Sequence, residues 1–407
     1  MRSIAETIIR ESIQKVLPDT AVMQALEGKA FSGKVILVAV GKAAWQMAKA
    51  ACEQLGDRIT DGIVITKYGH VNGLLRGVVC MEAGHPIPDE NGVKATQTAQ
   101  KLISNLQAED TVLFLISGGG SALFEEPLIS LEQLQDITAQ LLASGADIEQ
   151  INTIRKRLSR VKGGRFAQLA APAQVYSVVL SDVVGDRLDM IASGPAYPDS
   201  STCEEAMQIV KDYNLHLSAE ALELLQEETP KELRNVTTVI TGSVHRLCLA
   251  AKESCERLGY ETVILTEELT CQAKEAGAML GEIAAQNAGA GKKLAFIAGG
   301  ETVVKLTGKD KGGRNQELAL SAAPYIDGTS NVAVFSLGSD GTDGPTDAAG
   351  GYVDGFTAEK LRRQRVDIAK VLDDNDAYHA LQKVDGLIIT GPTGTNVNDV
   401  AVVLVDR

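Results

Sequence analysis

An α/β chain of two domains is predicted by three observations. Short apolar, β-branched runs alternate with longer helical patterns, as strands of a parallel sheet covered on both faces do. The runs fall into two series separated by a polar stretch at 201–234. The length, 407 residues, exceeds what one core usually organises.

The N-terminal stretch MRSIAETIIRESIQKVLP has the period of an amphipathic helix. The first strand series follows: KVILVAV (34–40), GIVIT (62–66), GVVCM (77–81), TVLFLI (111–116) and VYSVVL (175–180). Helical patterns such as AAWQMAKAACEQL (43–55) and SLEQLQDITAQLLASG (130–145) separate most of these runs. The stretch 201–234 reads as mostly polar helix and ends beside Pro230. A second series then begins: VTTVIT, ETVILT, LAFIA, VVKLT, VAVFSL, LIIT and VAVVLV. This places a boundary near 235, giving domains 1–235 and 236–407.

Net charge is −14, which argues against a nucleic-acid surface because phosphate backbones need a basic footprint. No 18-residue apolar run supports membrane insertion, and the N-terminus lacks a signal-peptide core, so a cytoplasmic location is expected. Six cysteines without a CxxC pair read as reduced thiols, and five scattered histidines give no zinc motif.

Glycine-rich turns follow several strands, where open parallel sheets bind ligands. In VAVGKAAWQMA, Gly41 and Lys42 either offer a helix N-terminus and a mobile cation to an anion or form a tight turn with a solvated lysine. In TVLFLISGGGSALF, Ser117, Gly118, Gly119, Gly120 and Ser121 form either a nest of N–H groups suited to phosphate or a glycine turn with a serine cap. NTIRKRLSRVKGGR (152–165) carries six cations and no acid, with Arg155, Ser159 and Lys162 on one helical face. One or two of these cations are expected to draw in a small polyanion, the rest to be solvated. Ser181 and Asp182 end another strand, and GGRNQELAL sets Arg314, Asn315 and Glu317 at a helix start. An arginine there opposes the helix dipole, so Arg314 is expected to face an anion. GSDGTDGPTDAAGG (338–351) gathers Asp340, Asp343 and Asp347 after an apolar run.

These are cations, carboxylates and glycines without a catalytic His or Cys, the inventory of phosphoryl transfer. Mg²⁺ binds through few carboxylates plus phosphates, so Asp340 and Asp343, with Asp182, are the candidate metal residues for a Mg-nucleotide.

With these motifs in place, the sequence resembles the glycerate 2-kinases of the MOFRL type. VGKAAWQMA, EAGHPIPDENG, SGGGSALF, NTIRKRLSRVKGGR, SDVVGDRLDMIASGPAYPD, GGRNQELAL and GSDGTDGPTDAAGG carry the resemblance along most of the chain. It implies ATP-dependent phosphorylation of D-glycerate to 2-phosphoglycerate. It also implies a Rossmann-like N-terminal domain, a smaller α/β MOFRL-type C-terminal domain and a site in the cleft between them. Lys42 and Arg314 become the leading catalytic candidates, followed by Asp182. The expected partners are small molecules, glycerate and ATP, with oligomeric state left open.

Two other readings compete. An NAD(P)-dependent hydroxypyruvate reductase would share the substrate's size, but no strand is followed by GxGxxG with an acid about 20 residues on. A non-catalytic sensor of a small phosphorylated acid would use the same glycine nests.

Overall fold

Every residue of β1 (Val35–Val40) is buried, as a continuous VILVAV run requires when both faces of a sheet are covered. This computed structural model describes residues 1–181, 183, 185 and 187–407. By internal contacts the chain divides into one unit of Pro18–Thr241 and another of Met1–Leu17 with Gly242–Arg407.

The first unit is built on β1, β2 (Ile59–Lys67), β3 (Val78–Ala83), β4 (Thr111–Ile116), β5 (Gln174–Leu180) and β6 (Val236–Gly242). The sheet order is β3-β2-β1-β4-β5-β6. β1 runs parallel to β2 and β4, β2 to β3, and β4 to β5. This is the doubly wound order of nucleotide-binding α/β sheets. Behind β4, Phe114, Phe124 and Phe166 pack with ring centroids 4.7 Å apart for Phe114–Phe166 and 5.1 Å for Phe124–Phe166. Phe124 directly follows the short helix Gly120–Leu123, so this cluster anchors the glycine loop to the core.

The other unit holds β7 (Glu261–Leu269), β8 (Leu294–Gly300), β9 (Val332–Gly338), β10 (Gly350–Asp354), β11 (Leu387–Ile388) and β12 (Asp399–Val405), in the order β11-β10-β9-β12-β8-β7. Only β7 and β8 pair in parallel; β12 pairs antiparallel with β8 and β9, and β10 with β9 and β11. The sheet is therefore mixed. VVKLT is not a strand: it contributes a single bridge, Val303 to Gln272.

The division differs from the expected 1–235 and 236–407 at both ends. VTTVIT is the last strand of the first sheet, beside β5, rather than the first of the second. The N-terminal helix Arg2–Lys15 buries Ala5, Ile8, Ile9 and Ile13 and packs on the helix Val244–Arg257. Glu11 accepts hydrogen bonds from Ser254 and Arg257 there, and Thr395 donates to the Val16 carbonyl at 2.8 Å. An amphipathic period announces a partner face, but a partner more than two hundred residues away leaves no local mark.

Candidate active site

In the order 3-2-1-4-5-6 the chain leaves β1 on one side and returns at β4 on the other. The carboxyl ends of β1 and β4 thus flank the crevice where such sheets bind ligands. The turn Gly41–Lys42–Ala43 follows β1 and Ser117–Gly120 follows β4. The two loops are tied together. Ser117 N–H donates to the Val40 carbonyl at 2.9 Å, Lys42 N–H to the Gly118 carbonyl at 2.9 Å, and Ala43 N–H to Ser117 Oγ at 3.1 Å. Gly41 has φ 115° and a Cβ there would lie 2.3 Å from Ser117 Oγ, so only glycine permits this approach.

Two lysines and two histidines gather at this edge. Lys42 is exposed, Lys67 ends β2, and His70 and His85 follow β2 and β3. His70 Nδ1 lies 3.1 Å from the Lys42 carbonyl. A Cβ on Gly119 (φ 87°) would stand 3.1 Å from His85 Nε2 and 3.2 Å from Lys42 Cγ, so ring and lysine stem flank the glycine. Among the described residues, neither Lys42 nor Lys67 has a carboxylate partner, and the Gly118 and Gly119 amides donate to no protein acceptor. Burial first, then Lys42, Lys67 and His70, hold the His85 imidazole below its ordinary pKa. Free amides, unpaired lysines and a helix N-terminus at Ala44 together suit an oxyanion. Sequence reasoning counted GHPIPDENG (84–92) among the polar, turn-rich loops but singled out none of Lys67, His70 and His85.

Ser121 faces elsewhere. Its Oγ lies 3.1 Å from Ser193 Oγ, which donates to Asn152 Oδ1 at 2.8 Å. Ala192 and Ser193 both hold positive φ, 52° and 60°, a strained turn packed on the glycine loop.

The basic run 152–165 is neither a solvated face nor an open anion site. Its helix, Ile148–Arg157, ends before Ser159, so Arg155, Ser159 and Lys162 share no helical face. Most of its cations point inward. Lys156 and Arg157 pair with Asp199 at 3.1 and 3.7 Å, and Arg157 with Glu228 at 3.1 Å. Lys162 is fully buried, donating to the Ser121 carbonyl at 2.9 Å and the Phe124 carbonyl at 3.1 Å, with Glu125 3.5 Å away. Burial pulls the Lys162 ammonium down to about 8. Arg155 also donates to the Ser121 carbonyl, at 2.8 Å. The cations expected to bind a ligand thus brace the loop that would bind it.

Arg314, Asn315, Glu317, Asp340 and Asp343 form a separate cluster in the unit containing the second sheet. Arg314 does face anions, as its place at a helix start predicts, but they are the protein's own. Its Nε and Nη2 donate to both oxygens of Asp399 at 2.6 and 3.1 Å, and its Nη1 to Glu301 at 2.7 Å. These hydrogen bonds and charges raise the guanidinium pKa against the opposing effect of burial.

Asp343, expected as a metal residue, instead caps the helix Arg314–Ala322. It accepts from the amides of Asn315 at 3.1 Å and Gln316 at 2.9 Å, and burial pushes its carboxyl up to about 7. Asn315 and Glu317, expected to bind nucleotide, are buried. Asn315 Oδ1 accepts from Ser336 at 2.6 Å, and Glu317 accepts from Asn375 at 3.3 Å. Asp347 accepts from the Tyr378 hydroxyl at 2.7 Å. Asp340 remains part-exposed, one oxygen closing a turn onto the Thr342 amide at 2.9 Å. The three aspartates of 338–351 therefore have separate partners, and no group of three or more metal-ligating side chains forms among the described residues. Asp182 lies outside the described residues.

The fold defines an α/β protein with a doubly wound sheet, and the loops at its switch point carry the chemistry that suits a small oxyanion. Comparison with known proteins narrows the class. Residues 4–226 match a family described as a domain of unknown function, DUF4147, and residues 294–399 match the MOFRL family. A D-glycerate 2-kinase of Thermotoga maritima is 51% identical, over 100% of this chain and 98% of its own. A glycerate 2-kinase of Pyrococcus horikoshii is 41% identical, over 100% of this chain and 97% of its own. A crystal structure of glycerate kinase from Thermotoga maritima superposes with TM-score 0.96 at 51% identity, covering 99% of each chain. The chain belongs to the glycerate kinase family.

Proposed function

We propose that this chain is a D-glycerate 2-kinase, transferring the γ-phosphoryl group of ATP to the 2-hydroxyl of D-glycerate with Mg²⁺ to form 2-phosphoglycerate. The names of its full-length relatives support the substrate and the reaction. The observation that carries the reading is the switch point: Lys42, without a carboxylate partner among the described residues, beside two unengaged amides, Gly118 and Gly119.

Little covalent chemistry falls to the protein in phosphoryl transfer; positioning and charge neutralisation dominate. Lys42 places a mobile positive charge where the transferred group's equatorial oxygens gather negative charge. The Gly118 and Gly119 amides hold oxyanions without reorganising, because the loop is tied to β1 through Ser117. Arg314 offers a planar fork to a phosphate once one of its carboxylate partners yields. Mg²⁺ would neutralise charge between the phosphates of the nucleotide. The residues present fit an ion that arrives with the nucleotide and keeps much of its water, with Asp340 as the carboxylate. Among the described residues they form no resident cage.

The test is incubation with ATP, Mg²⁺ and D-glycerate, followed by NMR of the product. Formation of 2-phosphoglycerate supports the reading. Oxidation of NADH by hydroxypyruvate without ATP turnover would establish the reductase, and binding of glycerate without turnover the sensor.

A further inference from the structure

We infer that His85 is a proton-coupled substrate-binding residue: its imidazole takes up a proton as an oxyanion, carboxylate or phosphoryl, settles against Lys42 and the Gly118–Gly119 amides. The inference deepens the kinase reading and rests on it for the identity of the anion.

Geometry carries it. The Nε2–Cδ2 edge of the ring faces Gly119, where a Cβ would lie 3.1 and 3.0 Å from those two atoms. Neither ring nitrogen has a hydrogen-bond partner among the described residues, although the side chain is partly buried. A part-buried imidazole without a partner, beside two unengaged amides, lacks an acceptor of the kind an anion supplies.

The charges around it come from each neighbouring element. Lys42 lies after β1, Lys67 ends β2, and His70 lies in the loop after β2. Among the described residues, two carboxylates of the flanking segments are already engaged. Glu82 accepts the His70 and Val71 amides at 3.0 Å each. Asp89 accepts the Gly92 amide at 2.9 Å and the Tyr68 hydroxyl at 2.6 Å.

In the free protein, burial and these cations favour the neutral ring. An entering anion cancels the cations' field and accepts a hydrogen bond from the protonated form, so both effects reverse together. Protonation then converts a neutral contact into a charge-assisted one. Binding draws the proton from solvent, and affinity falls as pH rises through the bound-state pKa.

Isothermal titration in buffers of different ionisation enthalpy counts that proton directly. Sulfate and D-glycerate are the probes, because neither titrates near neutral pH. At pH 7 we expect wild type to take up about 0.3 to 1 proton per anion bound. His85→Gln should take up almost none and bind about tenfold more weakly. Uptake with D-glycerate assigns the contact to the carboxylate; uptake with sulfate alone assigns it to the phosphoryl oxygens. NMR of the imidazole nitrogens in wild type checks the same point without a variant: one histidine's pKa should rise when sulfate is added. No proton uptake with either probe, uptake unchanged in His85→Gln, or no imidazole shift would overturn the inference. Sulfate binding is read without turnover, so failure to form 2-phosphoglycerate would defeat the kinase reading while leaving this test intact.

Discussion

A methyl group at position 119 would stand 3.0 Å from the His85 ring and 3.2 Å from the Lys42 stem, so each must shift slightly to admit it. Gly119→Ala also forces a positive φ on a residue with a Cβ, at about 1–2 kcal/mol. We expect the variant to fold with a modestly lower Tm while sulfate affinity falls at least tenfold, read by calorimetry and titration on the same sample. Asp343 gives a pH signature. Its folded pKa of about 7 stands above the ordinary carboxylate value of about 3.9, so between these the native state holds a proton that the unfolded chain has lost. Its contribution to stability is therefore complete below about pH 4 and is lost as pH rises through about 7. Asp343→Asn cannot lose that proton, so its Tm should decline less than wild type's from pH 5 to pH 8.

At the scale of elements, the strand-end loops were legible because their composition is their mechanism. Three glycines after a buried strand disfavour continued strand or helix by their backbone entropy and admit the positive φ a turn needs. The parallel sheet could be read from continuous apolar runs such as VILVAV and TVLFLI. The basic run 152–165 could not. Its cations alternate with few apolar residues, the pattern of a wet surface, while the acids that draw Lys156, Arg157 and Lys162 inward sit at Asp199, Glu228 and Glu125. Charge pairing over such separations has no period to detect. For the same reason Asp343 read as a metal residue: a carboxylate that caps a helix from another loop resembles, in sequence, one waiting for a cation.

Burial of Lys162 supplies the prediction at this scale. Lys162→Met leaves buried Glu125 with Arg155, 3.7 Å away, as its one charged partner among the described residues, and should destabilise by about 3–5 kcal/mol. Lys162→Met combined with Glu125→Leu should recover much of that loss in denaturant unfolding.

Over the whole molecule, the N-terminal helix belongs to the unit of the last strand, so the chain's first residues stabilise a sheet formed from its last. Ile8, 1% exposed, is central to that packing. Ile8→Ala should cost about 2–5 kcal/mol. Hydrogen exchange should quicken in the helix Val244–Arg257 and leave β1 and β4 protected.

Function, in this account, depends on the switch point of the first sheet and on Lys42 within it. The direct test is the rate of 2-phosphoglycerate formation by Lys42→Ala at saturating MgATP and D-glycerate, beside wild type, with folding of both checked by circular dichroism. Loss of a charge donor oriented on the transferred group predicts kcat lower by roughly 10²-fold or more in a folded variant. A folded Lys42→Ala that turns over at the wild-type rate would contradict the placement of phosphoryl transfer at the ends of β1 and β4.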